Sequence, residues 1–278
     1  MDKRIARVFP RKTAATPDDD LVFINTAPPR LLLPEIDEVH ISVAFTYDCA
    51  VAEELAKDWE IVGVPVKVGG PAYNEPGGEF TPGLYLKHGY TITSRGCPNR
   101  CWFCSVPERE GYQLRELEIK DGWNILDDNL LACSDRHIRA VFAMLANQPK
   151  RPTFTGGLES AQLCKKPWVV NLLREARTER VYFAYDTRDD LEPLMEAGKL
   201  LRDGGIAMGH VAHCYVLLGY PGDTFDAAET RMRQAWAAGF HPYAMLYRNE
   251  AGTVPPEWKS FYRNWSRPQI VGASLKAV

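Results

Sequence analysis

A chain of 278 residues with 45% hydrophobic and 25% charged side chains is long enough to bury the core of one large α/β domain and a smaller second one. Its net charge of -3 and sequence pI near 6.1 speak against a surface built mainly to hold polyanions, so nucleic acid is not supported as a partner. Residues 1–10 are basic without an apolar run behind them and no segment is long enough to cross a bilayer, so no membrane partner is expected and the chain reads as cytoplasmic.

The first elements in chain order are a buried strand over 38–45, a helix over 49–59 with Val51, Leu55 and Trp59 on one face, and a strand over 64–68 running into Gly69-Gly70-Pro71. Together they make a βαβ unit. A stretch rich in Gly and Pro, 74–83, reads as a linker. Six β-branched or aromatic runs follow, at 90–94, 124–127, 152–155, 181–185, 213–218 and 243–247, separated by helix-period segments. That alternation predicts parallel strands joined by crossover helices, so the fold class is α/β.

Between those runs, Ser134 is placed to cap a helix with Ile138, Val141, Phe142 and Leu145 in one stripe. A second helix over 189–202 is expected to turn Leu191, Leu194, Met195 and Leu201 inward and to end at Gly204-Gly205, and a third covers 226–238. The segment 255–268 mixes aromatic and basic residues; it suits packing across an open sheet edge, and the same mixture suits stacking on bases.

Seven cysteines, an odd number, point to reduced thiols and not to a disulfide framework. Cys49, Cys133, Cys164 and Cys214 stand alone and read as small core residues, with Cys133 and Cys214 near strand ends as candidates for substrate contact. Cys97, Cys101 and Cys104 are different, because they share the short run Thr91 to Cys104. Three thiolates in one turn suit three irons of a cubic 4Fe-4S cluster and leave the fourth uncovered. Zinc wants four ligands and most often pairs C-x2-C elements, a spacing that only Cys101 and Cys104 have here.

The C-x3-C-x2-C spacing, with Phe103 just before the third cysteine, resembles the signature of the radical S-adenosylmethionine (radical SAM) superfamily. The resemblance implies a 4Fe-4S cluster held by Cys97, Cys101 and Cys104 and S-adenosylmethionine (SAM) on the open iron. It further implies an external electron donor of the flavodoxin or ferredoxin type, and a 5'-deoxyadenosyl radical that takes hydrogen from an unidentified substrate. It also implies that the six strands form a partial (βα)6 TIM-like barrel, with ligands at the carboxyl ends of its strands.

On that reading Asp127, Asp128 and Asn129 receive the methionine ammonium, Glu159 and Asp186 the ribose, and Arg188 the carboxylate. Leu217 covers the adenine, and Gly219 lets the backbone approach the ligand. Only the short segment 108–121 separates the cysteines from the second strand, so the first crossover is expected to be abbreviated. The βαβ unit resembles a reduced form of the Rossmann-like cobalamin-binding domain of one radical SAM subgroup, but no D-x-H-x-x-G stretch offers an axial histidine. The expected domains are therefore an accessory α/β domain over 1–83, the core over 84–250 and a C-terminal extension over 251–278. Two alternatives remain at this stage: a cobalamin-dependent radical SAM methylase, and a non-catalytic iron-sulfur or zinc module.

Overall fold

A computed structural model describes residues 3–27, 29–249 and 251–265. The first strand, β1 (Ile5–Phe9), is one that the sequence reading did not anticipate. It lies inside a parallel sheet of order β2-β1-β3-β4, with β2 at Val22–Ile24, β3 at Glu38–Ser42 and β4 at Val66–Gly69. Ala6 and Val8 are fully buried. Arg7 is tolerated there because its guanidinium donates to the carbonyls of Gly83 (3.2 Å) and Leu84 (3.4 Å) and pairs with Asp19, so its charge is not left alone.

Helix α1 (Cys49–Glu60) covers this sheet with Ala52, Leu55 and Trp59. Trp59 packs edge-on to Phe23 at 4.9 Å and gives its indole N–H to the carbonyl of Thr26 at 3.2 Å, the partner a buried tryptophan needs. Val51, expected on this face, is only partly buried, and Ala52 takes its place.

A second sheet joins β5 (Tyr90–Thr91), β8 (Asn124–Ile125), β9 (Thr153–Phe154), β10 (Arg180–Ala184), β11 (Ala212–Leu218) and β12 (His241–Leu246) in the order in which they occur along the chain. Every pairing in it is parallel. The protein is therefore mixed α/β with parallel sheets, and among the described residues β5 and β12 do not pair to close the second sheet. In β11 the residues Ala212, Cys214, Val216 and Leu218 are buried while those between are half-buried, the period-two pattern of a strand with one face under helices. Those helices include α3 (Asp135–Leu145), α4 (Ser160–Lys165), α5 (Val169–Glu175), α6 (Leu191–Asp203) and α7 (Phe225–Ala237), whose inner residues share one core with the strands.

Ser134 caps α3 by accepting the N–H of His137 at 3.2 Å, and Ile138, Val141, Phe142 and Leu145 are buried as the spacing predicts. In α6 the stripe differs from expectation: Leu194, Ala197, Gly198 and Leu201 face inward, while Met195 is 45% exposed and Leu191 only partly buried. The reason is a tight seam, because a Cβ on Gly198 would lie 2.1 Å from the carbonyl oxygen of Ala238. The left-handed residue that ends this helix is Gly205 (φ +81°), not Gly204.

The first crossover is short. Chain after β5 turns into β6 (Ser94–Arg95), then α2 (Val106–Glu110), and β7 (Arg115–Glu116), which pairs antiparallel with β6. The strand expected over 90–94 breaks because the N–H of Thr93 goes to the carboxylate of Asp127 at 2.6 Å instead of to a ladder partner. Glu110, its side chain fully buried, receives Arg115 at 2.5 Å and Arg109 at 3.0 Å, and accepts the N–H of Gly77 at 3.0 Å. The segment read as a linker is thus fastened to this crossover. At the other end α8 (Pro256–Trp265) packs on β12 and buries Trp258 and Trp265, while residues 266–278 lie outside the described residues. Among the described residues no helix is long and apolar enough to cross a membrane.

Candidate functional site at the strand ends

The loop bearing Cys97, Cys101 and Cys104 leaves β6 through Gly96, a position only glycine fits. Its φ is +86°, and a Cβ there would lie 2.4 Å from the carbonyl oxygen of Gln113. Within the loop the N–H of Cys104 donates to the carbonyl of Cys101 at 3.1 Å. Trp102 projects from the loop toward Tyr220 at 5.5 Å and Tyr247 at 6.0 Å, and meets Phe103 edge-on at 5.4 Å. Tyr220 and Tyr247 follow β11 and β12, so the loop that follows β6 reaches the carboxyl ends of β11 and β12.

Burial pushes the Cys101 thiol up to about 11, and the charges of Cys104, Cys97, Asp190 and Asp186 act in the same direction. Burial likewise raises Cys104. The charges of Cys97 and Cys104 oppose ionisation of Cys101, and that of Cys97 opposes ionisation of Cys104, whereas coordination by a metal deprotonates a thiol outright. Among the described residues no group of three or more His, Cys, Asp or Glu side chains is placed to hold a metal ion.

The three polar residues after β8 do different work. Asp127 is buried and accepts from the N–H of Thr93 (2.6 Å), the hydroxyl of Thr93 (2.6 Å) and the hydroxyl of Ser94 (2.8 Å); burial raises its carboxyl against these bonds. Asp128 accepts the N–H of Gly96 at 2.8 Å and pairs with Arg109 at 3.1 Å. Both carboxylates therefore hold the start of the cysteine loop. Of the three only Asn129 turns to the thiols: its Nδ2 donates to Glu159 Oε2 at 2.6 Å and lies 3.4 Å from Cys97 Sγ, while its buried Oδ1 has no partner among the described residues.

Asp186, just past β10, accepts the N–H of Leu217 at 2.9 Å, and burial raises its carboxyl to about 6. Leu217 sits half-buried on the face of β11 away from the helices. Gly219 (φ +73°) donates its N–H to Asp223 at 2.8 Å, and a Cβ on it would press on Trp258 at 2.7 Å, so its neighbour is the α8 helix. The side chain of Arg188, expected at the SAM carboxylate, lies outside the described residues. A residue pair that the sequence reading passed over ties this corner together. Arg231 pairs with the buried Asp223 at 2.8 Å and donates to the carbonyl of Leu217 at 2.9 Å. The eight-residue spacing between them, two turns of α7 and its approach, was the available signal. No protein-family model matches the sequence, and no curated protein matches it.

Cys133 and Cys214 are buried in the core, and Cys49 and Cys164 are partly buried. The strand face away from the helices is aromatic: Tyr182 stacks on Tyr215 at 4.6 Å, and Tyr243 meets Tyr215 edge-on at 5.7 Å. Tyr182 also meets the His213 ring at 5.0 Å.

Proposed function

We propose that the protein is a radical SAM enzyme, with residues 84–250 as a partial (βα)6 barrel core, 1–83 as an accessory α/β domain and 251–278 as an extension over the barrel edge. The observation that carries this reading is the orphaned, buried Oδ1 of Asn129 beside Cys97 and Glu159. A buried amide oxygen without a partner costs stability unless a ligand fills the gap, and a cation such as an ammonium is the partner it suits.

Cys97, Cys101 and Cys104 would hold the 4Fe-4S cluster and Asn129 the methionine end of SAM, with Glu159, expected at the ribose, held beside it by the Asn129 amide. Asp186 and Leu217 would take the nucleoside end, the first as a hydrogen-bond acceptor and the second as an apolar cover. Asp127, Asp128, Gly96 and Arg109 act one step back, by fixing the loop. When bound, the cluster and SAM supply a 5'-deoxyadenosyl radical, generated with an electron from an external flavodoxin or ferredoxin-type donor, that removes hydrogen from a substrate. Trp102, Phe103, Tyr220 and Tyr247 form an aromatic cluster beside the loop.

The test is anaerobic reconstitution with iron and sulfide followed by dithionite and SAM. Release of 5'-deoxyadenosine by the wild type and its loss on replacing the three loop cysteines by alanine are expected; release that survives those replacements refutes the assignment.

A further inference from the structure

In the N-terminal sheet, β1 and β3 are neighbours from which the chain departs in opposite directions, to β2 on one side and β4 on the other. Ligands of open parallel sheets bind outside the carboxyl ends of the strands at such a switch point. A crevice of about 710 Å³ opens at that place, within the size range of small-molecule pockets, about 300–1,000 Å³. Arg11 follows β1, Phe45 follows β3, and Ile92 and Leu126, which directly follow β5 and β8, also line it.

The walls carry charge but, among the described residues, each cation is already matched. Arg11 pairs with Asp48, Lys67 with Glu38 at 2.7 Å, Arg109 with Asp128 at 3.1 Å and Arg95 with Glu110 at 3.6 Å. None is left to draw a phosphate or a free carboxylate. Phe45 keeps 39% of its surface open, with Tyr47 stacked at 5.2 Å and the Arg11 guanidinium 5.9 Å from its ring centre.

One chain of polar contacts runs into the crevice. Glu38 is held ionised by Lys3 and Lys67, its carboxyl well below the ordinary range through hydrogen bonds from Lys3, Lys67 and His40. Its Oε2 lies 2.9 Å from His40 Nε2, so in the neutral imidazole the carboxylate fixes the proton on Nε2 and leaves Nδ1 as an acceptor. The Tyr85 hydroxyl, 2.5 Å from Nδ1, then donates to histidine and keeps oxygen lone pairs for a second partner. Both nitrogens of His40 are thereby committed, and neither is free for a metal or a corrinoid.

We propose that this crevice binds a neutral, flat-ringed small molecule bearing an N–H or O–H donor, stacked on Phe45 and received by the Tyr85 oxygen that His40 and Glu38 hold in place. The full chain is titrated with indole, 1-methylindole and indole-3-carboxylate, followed by ligand-observed NMR without cluster, SAM or reductant, so failure here is separate from failure of the catalytic reading. Indole is expected to bind about fivefold or more tighter than 1-methylindole, as one hydrogen bond predicts, and the carboxylate weakest. Tyr85→Phe and His40→Gln should each erase the preference for indole, and Phe45→Ala should weaken indole and 1-methylindole alike. Equal binding of indole and 1-methylindole to the wild type, a preference that survives Tyr85→Phe, or tighter binding of the carboxylate overturns the proposal.

Discussion

Asn129 brings two polar atoms into a buried space, and the fold satisfies one of them. Asp127, Asp128 and Asn129 look interchangeable as a run of letters, and the sequence reading gave all three the same role. What separates them is tertiary: donors from Thr93 and Ser94 take up Asp127, the Gly96 N–H and Arg109 take up Asp128, and only Asn129 is left for a ligand. No spacing rule states which donors a loop will present. Asn129→Ala is therefore expected to lower 5'-deoxyadenosine release at low SAM by about tenfold or more, the scale of a buried hydrogen bond lost from a charged partner. Iron content should stay unchanged, and assays of product and iron read the two separately.

Asp186 supports a pH prediction in the metal-free protein. Its folded carboxyl titrates near 6 against an ordinary 3.8, so the folded state binds the proton more tightly, and its contribution falls as pH rises through about 4 to 6. At 1.36 kcal/mol per unit the loss is roughly 3 kcal/mol. Asp186→Asn, which keeps an oxygen for the Leu217 N–H, should remove that fall, read as the change in Tm between pH 4 and 6 for the two proteins.

At the level of elements, the six strands of the larger sheet were legible because β-branched and aromatic runs alternate there with helix-period segments. Their lengths were not, since the break after Thr91 comes from a carboxylate distant in sequence. The strand β1 was hidden by Lys3, Arg4 and Arg7, which make a buried strand look like a basic tail; Arg7 can be buried because the carbonyls of Gly83 and Leu84 and the carboxylate of Asp19 await it. In α6 the apolar Met195 suggested a wider stripe than the seam admits. Gly198→Ala should cost about 1–3 kcal/mol, as overpacking does, and lower Tm by several degrees, whereas Met195→Ala should leave it nearly unchanged. Thermal denaturation of the two variants makes the comparison.

Across the molecule, two hydrophobic cores are joined by polar fastenings. The Glu110 carboxylate gathers Arg95, Arg109, Arg115 and the Gly77 N–H, and these bonds outweigh the upward push of burial on its carboxyl. They hold the N-terminal layer against the crossover that carries the cysteine loop. Through Arg95 and Arg109 the buried Glu110 carboxylate ties together the residues on either side of the cysteine loop on which the functional reading rests. Low-temperature EPR of the reconstituted, dithionite-reduced chain tests that reading most directly. The account predicts the signal of a reduced 4Fe-4S cluster whose shape changes when SAM is added, because SAM takes the iron that the three cysteines leave open. A spectrum indifferent to SAM, or native protein carrying zinc and no iron, would contradict it.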